Sequence, residues 1–207
     1  MTVNYTVHAD VIDIRRDSPR PDDVFLVDSN VLYWLTYTRA SQASQPPRTY
    51  QINDYPAYIA KALSAKSGLC NCGLSFAELS HRIEKTEREI YIRANVDVGK
   101  KGFRHNCISE RSSVVAEVQA AWGQVKTMTQ AVTIQIDEIV TDAALARFST
   151  QPLDGYDLFI LEAIANAGVV KVITDDGDYV TVPGIQVFTA NHNVITASQI
   201  QGKLLVR

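Results

Sequence analysis

Asp28 closes the apolar run Val24-Phe25-Leu26-Val27, and Asp176 and Asp178 follow the β-branched run Val169-Val170-Lys171-Val172-Ile173. Both runs have the length and composition of buried strands in a parallel sheet. The three acids therefore stand at the carboxyl ends of predicted strands, where such sheets bind ligands. One Asp after a strand is ordinarily a turn or cap residue; three acids at two strand ends are harder to ascribe to turns. Glu78 and Asp157 each lie three residues after a predicted helix cap, Ser75 and Asp154. That spacing first suggests capping boxes or first-turn acids that complement the helix dipole. First-turn side chains at the sheet's carboxyl edge also project toward the same pocket, so the two roles coexist. Carboxylates gathered without basic partners repel one another unless a cation offsets them. Oxygen-only ligands select hard divalent ions, Mg²⁺ or Mn²⁺.

The elements that must position these acids can be traced along the chain. A strand over 24–27 leads into a helix from Ser29-Asn30, and residues 38–54 read as a polar surface loop. Asn53 or Asp54 caps the next helix, with Pro56 in its first turn. Leu69 to Cys72 is a second strand, followed by a helix from Ser75 to about Asn95. Val96 to Asn106 reads as a loop, Ser109 to Met128 as a long helix, and Thr133 to Ile136 as a third strand. Thr141 opens a short helix to about Ser149, and Asp154 caps another that stops at Gly168. A strand over 169–173, a turn at Pro183-Gly184 and a last strand over 185–188 complete the pattern. Strands alternating with helices imply an α/β fold with a parallel sheet.

The order VFLVDSNVL, SFAELS, LDGYDLFILEAIANAG and VVKVITDDGDY, followed by VPGIQVFTA, resembles a PIN domain. These are small α/β metal-dependent nucleases, known in prokaryotes chiefly as the toxins of toxin–antitoxin pairs (the VapC-like group). The likeness covers residues 24–37, 74–84 and 154–190. It places the family's first-strand Asp at Asp28, beside Ser29 and Asn30, its helix Glu at Glu78 and its late-helix Asp at Asp157. The family's Thr-x-Asp-x-Asp-aromatic signature falls on Thr174, Asp176, Asp178 and Tyr179. The resemblance implies a mostly parallel sheet flanked by helices in an α/β/α sandwich. It implies one domain over residues 1–207, with 1–22 an N-terminal extension and 38–54 and about 96–135 variable insertions. It further implies that Asp28, Glu78, Asp157 and Asp176 are catalytic, and that with Asp178 they hold one or two Mg²⁺ or Mn²⁺ ions. Asn30 and Thr174 would orient ligands or water. The expected reaction is hydrolysis of RNA phosphodiester bonds leaving a 5′-phosphate, with a small antitoxin protein and a second copy of the chain as further partners. A structure-specific DNA nuclease and a non-catalytic PIN-like scaffold are the alternatives; every acidic position of the motif is filled, which speaks for activity.

Composition narrows the field further. At 207 residues and 46% hydrophobic, the chain has the make-up of a core-forming globular domain. No apolar run approaches the ~20 residues of a membrane helix, and the polar start MTVNYTVHADVIDIRRD lacks the core of a signal peptide. Three cysteines without an export signal favour a reduced, cytoplasmic protein. Cys70, Cys72, Cys107 and His81 lack the spacing of a structural zinc site; buried, inert cysteines and a half-buried structural His81 are expected. No phosphate-binding glycine loop and no nucleophile elbow is present. Net charge is −3 overall, but residues 82–130 carry +3 and residues 131–207 carry −5. Within the positive segment, Lys100, Lys101 and Arg104 around Phe103 form the expected RNA-contacting loop. Arg82, Lys85, Arg88 and Arg93 alternate with Glu84, Glu87 and Glu89 as an ion-pair helix.

Overall fold

A seven-stranded sheet organises the computed structural model, which describes residues 3–207. The chain runs β1 (Asp10–Asp13), β2 (Val24–Val27), α1 (Ser29–Thr36), α2 (Thr49–Ser64), β3 (Gly68–Cys72), α3 (Gly73–Ala94), α4 (Lys100–Asn106) and α5 (Ile108–Met128). It continues with β4 (Gln130–Val132), α6 (Glu138–Phe148), α7 (Gly155–Asn166), β5 (Lys171–Ile173), β6 (Gln186–Thr189), α8 (His192–Ile200) and β7 (Leu204–Leu205). The strand order is β4-β3-β2-β5-β6-β1-β7, and every neighbouring pair is parallel. The sheet is thus wholly parallel where a mostly parallel one was expected.

Alternation along each strand divides the core in two. Phe25, Val27, Ile173, Ile12 and Phe188 face α1, α2, α3 and α5. Leu26, Val172, Val11 and Val187 face α6, α7, α8 and the 3₁₀ turn at Asp178–Thr181. Helices therefore cover both faces, as a parallel sheet buried on both sides requires. From β2 the chain moves to β3 on one side; from β5 it moves to β6 on the other. The β2/β5 seam is where the winding reverses, so a crevice opens at the carboxyl ends of these two strands.

Several local expectations are corrected. α2 begins at Thr49, not after Asn53 or Asp54, and Pro56 lies inside it. Gln51 and Tyr55 bond Asp175 from this helix, so a contact far away in sequence holds its first turns. The expected loop at 96–106 contains α4, whose Phe103 is buried against Tyr91 with ring centroids 5.6 Å apart. The strand expected at Thr133–Ile136 is β4, three residues earlier, pairing Gln130–Val132 with Cys70–Cys72. β3 turns into α3 at Gly73, so residues 133–136 have no strand to pair with. α6 starts at Glu138 because Asp137 caps it through the Val140 N–H. Within the segment read as an N-terminal extension, β1 lies between β6 and β7. β7 and α8 carried no expectation at all.

A charged cluster ties the segments that follow β1 and β7 to the starts of β2 and β5. The Arg207 guanidinium donates to Asp17 at 2.8 and 2.9 Å and to Asp23 at 2.7 and 2.8 Å. Lys171 adds a bond to Asp23 at 2.5 Å, and Tyr58 donates to Asp17 at 2.5 Å. Arg207 also sits 4.5 Å from the Phe188 ring centroid. Burial pushes the Asp23 carboxyl up, but the bonds from Arg207 and Lys171 outweigh it and hold the group well below the usual carboxylate range. Removing the guanidinium would leave two buried carboxylates short of their main partner. Arg207→Ala is expected to destabilise the fold by about 3 kcal/mol, read as a lower urea midpoint at unchanged m-value. A loss within about 0.5 kcal/mol would show the network to be solvated and weak.

Candidate metal centre

Asp28 stands where β2 ends and α1 begins. It occupies the cap position of α1, yet its carboxylate caps nothing. Oδ2 instead accepts from Thr174 Oγ1 at 2.7 Å and Asn30 Nδ2 at 3.0 Å, while Oδ1 accepts from Ser29 Oγ at 3.4 Å. Three side-chain donors thus hold a buried carboxylate at the seam between β2 and β5. The cap reading, the natural one for an Asp in this position, does not describe it.

Glu78 departs from its capping expectation as well. α3 starts at Gly73, so Glu78 lies beyond its first turn, and Cys72 with Ser75 forms the cap. The neighbours Leu79 and Ile83 anchor that turn in the core beneath α1. Glu78 Oε2 is buried and has no hydrogen-bond partner. On the opposite face of the sheet, Asp154 caps α7 through the N–H groups of Tyr156 and Asp157 at 2.9 and 3.1 Å. Asp157 is thereby relieved of capping, and its Oδ1 accepts the hydroxyl of fully buried Tyr179 at 2.7 Å.

Asp28, Glu78 and Asp157 each offer an oxygen within 4.8 Å of the others. Two oxygens bound at ~2.1 Å to one Mg²⁺ lie about 3–4 Å apart, so a small contraction would let all three share an ion. Without one, each ionised pair at that separation repels by about 3 kcal/mol at an effective dielectric of 20. Three such pairs would consume most of an ordinary domain's stability, so the group must hold protons or a cation. Burial and then the Asp28 charge push Glu78 up to about 7. Burial, Asp28 and the neighbouring acids raise Asp157 well above the carboxylate range.

Asp176 and Asp178 lie outside this group of three, half-buried on the loop after β5. The Asp176 N–H donates to Thr174 Oγ1 at 2.9 Å, so one hydroxyl links the loop to Asp28. Asp176 Oδ1 accepts the Asp178 N–H at 2.9 Å. Burial pushes Asp176 up to about 6 against that bond, with the Asp28 charge adding to it. Between these positions Asp175 points away, held by Gln51 at 2.6 Å, Tyr55 at 2.7 Å and Tyr50 at 3.1 Å.

Three participants were not foreseen. Asp154, read only as a cap, adds its charge to Glu78, Asp157, Asp176 and Asp178. Arg82, one helical turn beyond Glu78, donates to Asn30 Oδ1; that spacing was available in the sequence. The Tyr5 ring lies against Gly177, where a Cβ would collide with it, and no local signal could link residues so far apart. His81 is exposed and not half-buried, whereas Cys70 and Cys72 are buried free thiols. Lys100, Lys101 and Arg104 ride on helix α4 and not on a loop reaching over a cleft. Arg104 pairs with Glu84, which also meets Arg111 at 3.6 Å.

Fold and site together define an α/β protein with a carboxylate centre at the switch point of a parallel sheet. Among known proteins, no family model matches the chain, and no curated protein or solved structure is significantly similar to it.

The raised acids give the metal-free protein a characteristic pH response. Their unfolded values lie near ~4, while Glu78 and Asp176 sit at about 7 and about 6 in the fold. Between these limits the folded state binds more protons, so their contribution is most favourable at low pH and is lost as pH rises through the folded values. The urea midpoint of EDTA-treated protein is expected to fall from about pH 5 to about pH 8, and Glu78→Gln to flatten the fall. Mn²⁺ should raise the midpoint more at the higher pH, where it has fewer protons to displace. A midpoint that rises over this interval would show that the three carboxyl groups do not interact.

Proposed function

We propose that the protein is a metal-dependent nuclease with a PIN-like fold, acting on RNA phosphodiester bonds. The observation that carries the reading is the meeting of Asp28, Glu78 and Asp157 at the switch point, each freed from capping and one with an orphaned buried oxygen. An all-oxygen donor set of this spacing suits Mg²⁺ or Mn²⁺, so the residues fit such an ion. When bound, a divalent ion lowers the pKa of a coordinated water and steadies charge on the phosphate and leaving oxygens. Asp28, Glu78 and Asp157 would hold it, with Asp176 and Asp178 beside them. Thr174 and Asn30 keep the Asp28 carboxylate in one orientation, a support that typically alters metal affinity 10–100-fold. Tyr179 does the same for Asp157. A divalent ion held there would displace the protons that burial and the neighbouring acids favour on Glu78 and Asp157. The toxin role and an antitoxin partner follow from the likeness to the VapC-like group alone, and carboxylate chemistry does not itself choose between RNA and DNA.

Labelled RNA and DNA, incubated with Mg²⁺, Mn²⁺ or EDTA, test the reading. RNA is expected to be cut only with metal, and Asp28→Asn to reduce cutting to background. Because Asn removes a charge from a repelling group, the metal-free variant should be at least as stable as the parent. Cleavage persisting in EDTA, or an Asp28→Asn variant that loses stability, would count against a metal centre and for a structural carboxylate.

A further inference from the structure

A groove runs between residues 43–48 and the face of α3 that carries Arg82 and Lys85. It encloses about 450 Å³, and its lining includes Trp34, Arg48 and Gln51 on one side and Arg82 and Lys85 of α3 on the other. We infer that this groove binds a single-stranded polynucleotide and leads it to the carboxylate centre, an inference that rests on the nuclease reading.

Position comes first. Arg82 donates to Asn30 Oδ1, and Asn30 Nδ2 donates to Asp28. Gln51 donates to Asp175, the neighbour of Asp176. Both walls of the groove therefore touch residues bonded to, or adjacent to, the acids of the centre. Charge comes second. Arg48, Arg82 and Lys85 are exposed, and the acid of the lining, Glu89, is engaged by the Ser44 N–H at 2.8 Å and by Lys85 at 3.8 Å. Glu87 turns elsewhere, to Arg39 and Tyr37. A net positive groove opening beside a carboxylate centre is what a polyanion needs to approach it.

The aromatic residues decide between a nucleic acid strand and an acidic peptide. Half-buried Trp34 is backed by the buried Tyr55 ring at 5.6 Å, which fixes it as a platform. Tyr33 is buried, pinned by Thr86 at 2.8 Å, and lies 5.6 Å beneath the Arg82 guanidinium, so it holds that cation in place and leaves Trp34 as the ring open to a base. Fixed cations beside a half-exposed ring suit a backbone of phosphates with an unpaired base that stacks; an acidic peptide has no use for the ring. α4 offers no comparable ring, because its Phe103 is buried against Tyr91, and its Arg104 is paired with Glu84 as Lys85 is with Glu89.

The test uses the full chain carrying Asp28→Asn, in EDTA, with a fluorescein-labelled oligouridylate of about twelve nucleotides followed by anisotropy across a salt series. Replacing Arg48 and Lys85 by Ala should reduce the salt slope by about 1.4, at roughly 0.7 per lost phosphate contact. Trp34→Leu should weaken binding about tenfold with little change in slope, and an abasic oligomer should not sense the substitution. Trp34→Phe, which keeps a ring, should restore most of the affinity; Arg48 and Lys85 are exposed, so that pair reports even if Trp34→Leu folds poorly. The inference is overturned by an unchanged slope in the double variant, by a slope that falls with Lys100→Ala and Lys101→Ala instead, or by polyglutamate binding equally well. Wild-type protein that cuts RNA with Mn²⁺ while the groove variants bind normally would sink the groove and leave the nuclease reading intact. Groove-dependent binding without any metal-dependent cutting would do the reverse.

Discussion

Three carboxyl groups held within 4.8 Å oppose the fold that contains them, and much of the architecture answers that repulsion. Asp28 is fixed at a strand end, Glu78 by a helix on one face of the sheet, and Asp157 by a helix on the other. Each anchor is set in a separate stretch of core: Leu79 and Ile83 beneath Glu78, Leu158 and Leu161 beside Asp157. Apolar burial of this size, about 1.5–3 kcal/mol for each large side chain, is what can hold the acids together against a few kcal/mol of repulsion. Were all three on one element, local fraying would relieve the strain. Spread over three, it is relieved only by a proton, a cation or unfolding.

Two clusters of acids are treated in opposite ways. Asp17 and Asp23 are matched by Arg207 and Lys171. At the carboxyl edge Asp28, Glu78, Asp157 and Asp176 have hydroxyl, amide and N–H donors but no cation bonded to any of them among the described residues. Arg82, one helical turn beyond Glu78, bonds Asn30 and reaches Glu78 only through its charge. The first cluster is a clasp whose charges are matched; the second is a carboxylate group whose charges are not. The loop after β5 joins these demands in five residues: Thr174 bonds Asp28, Asp175 is gripped from α2, and Asp176 turns toward the centre. Gly177 leaves room for Tyr5, and Asp178 closes the turn.

Much of the fold could be read locally. The strands at Val24–Val27 and Gly68–Cys72, the long helix Ile108–Met128 and the Asp154 cap of α7 carry short-range signals, apolar runs and capping spacings, and stand close to where those signals put them. Gly168 and Gly184 adopt positive φ at the ends they were expected to punctuate. What escaped depends on partners far away. β1 is four residues bounded by acids and becomes a strand by sitting between β6 and β7. α4 lacks an amphipathic period and is held by one buried Phe103, and α2 is extended by the grip of its first turns on Asp175.

For the site, the sequence alone determined that Asp28 and Asp176 would follow strands and that Glu78 and Asp157 would lie near helix starts, because pleat period and cap spacing are properties of neighbouring residues. It could not decide between capping and gathering, since the same residue types at the same spacing serve both. The tertiary structure decided it. α3 begins early enough to carry Glu78 past its cap, and Asp154 takes over the capping of α7. Helices from opposite faces then bring the freed carboxylates to the one seam where the winding of the sheet reverses. That convergence is set by strand order, and strand order is a matter of which segments pair across the whole chain.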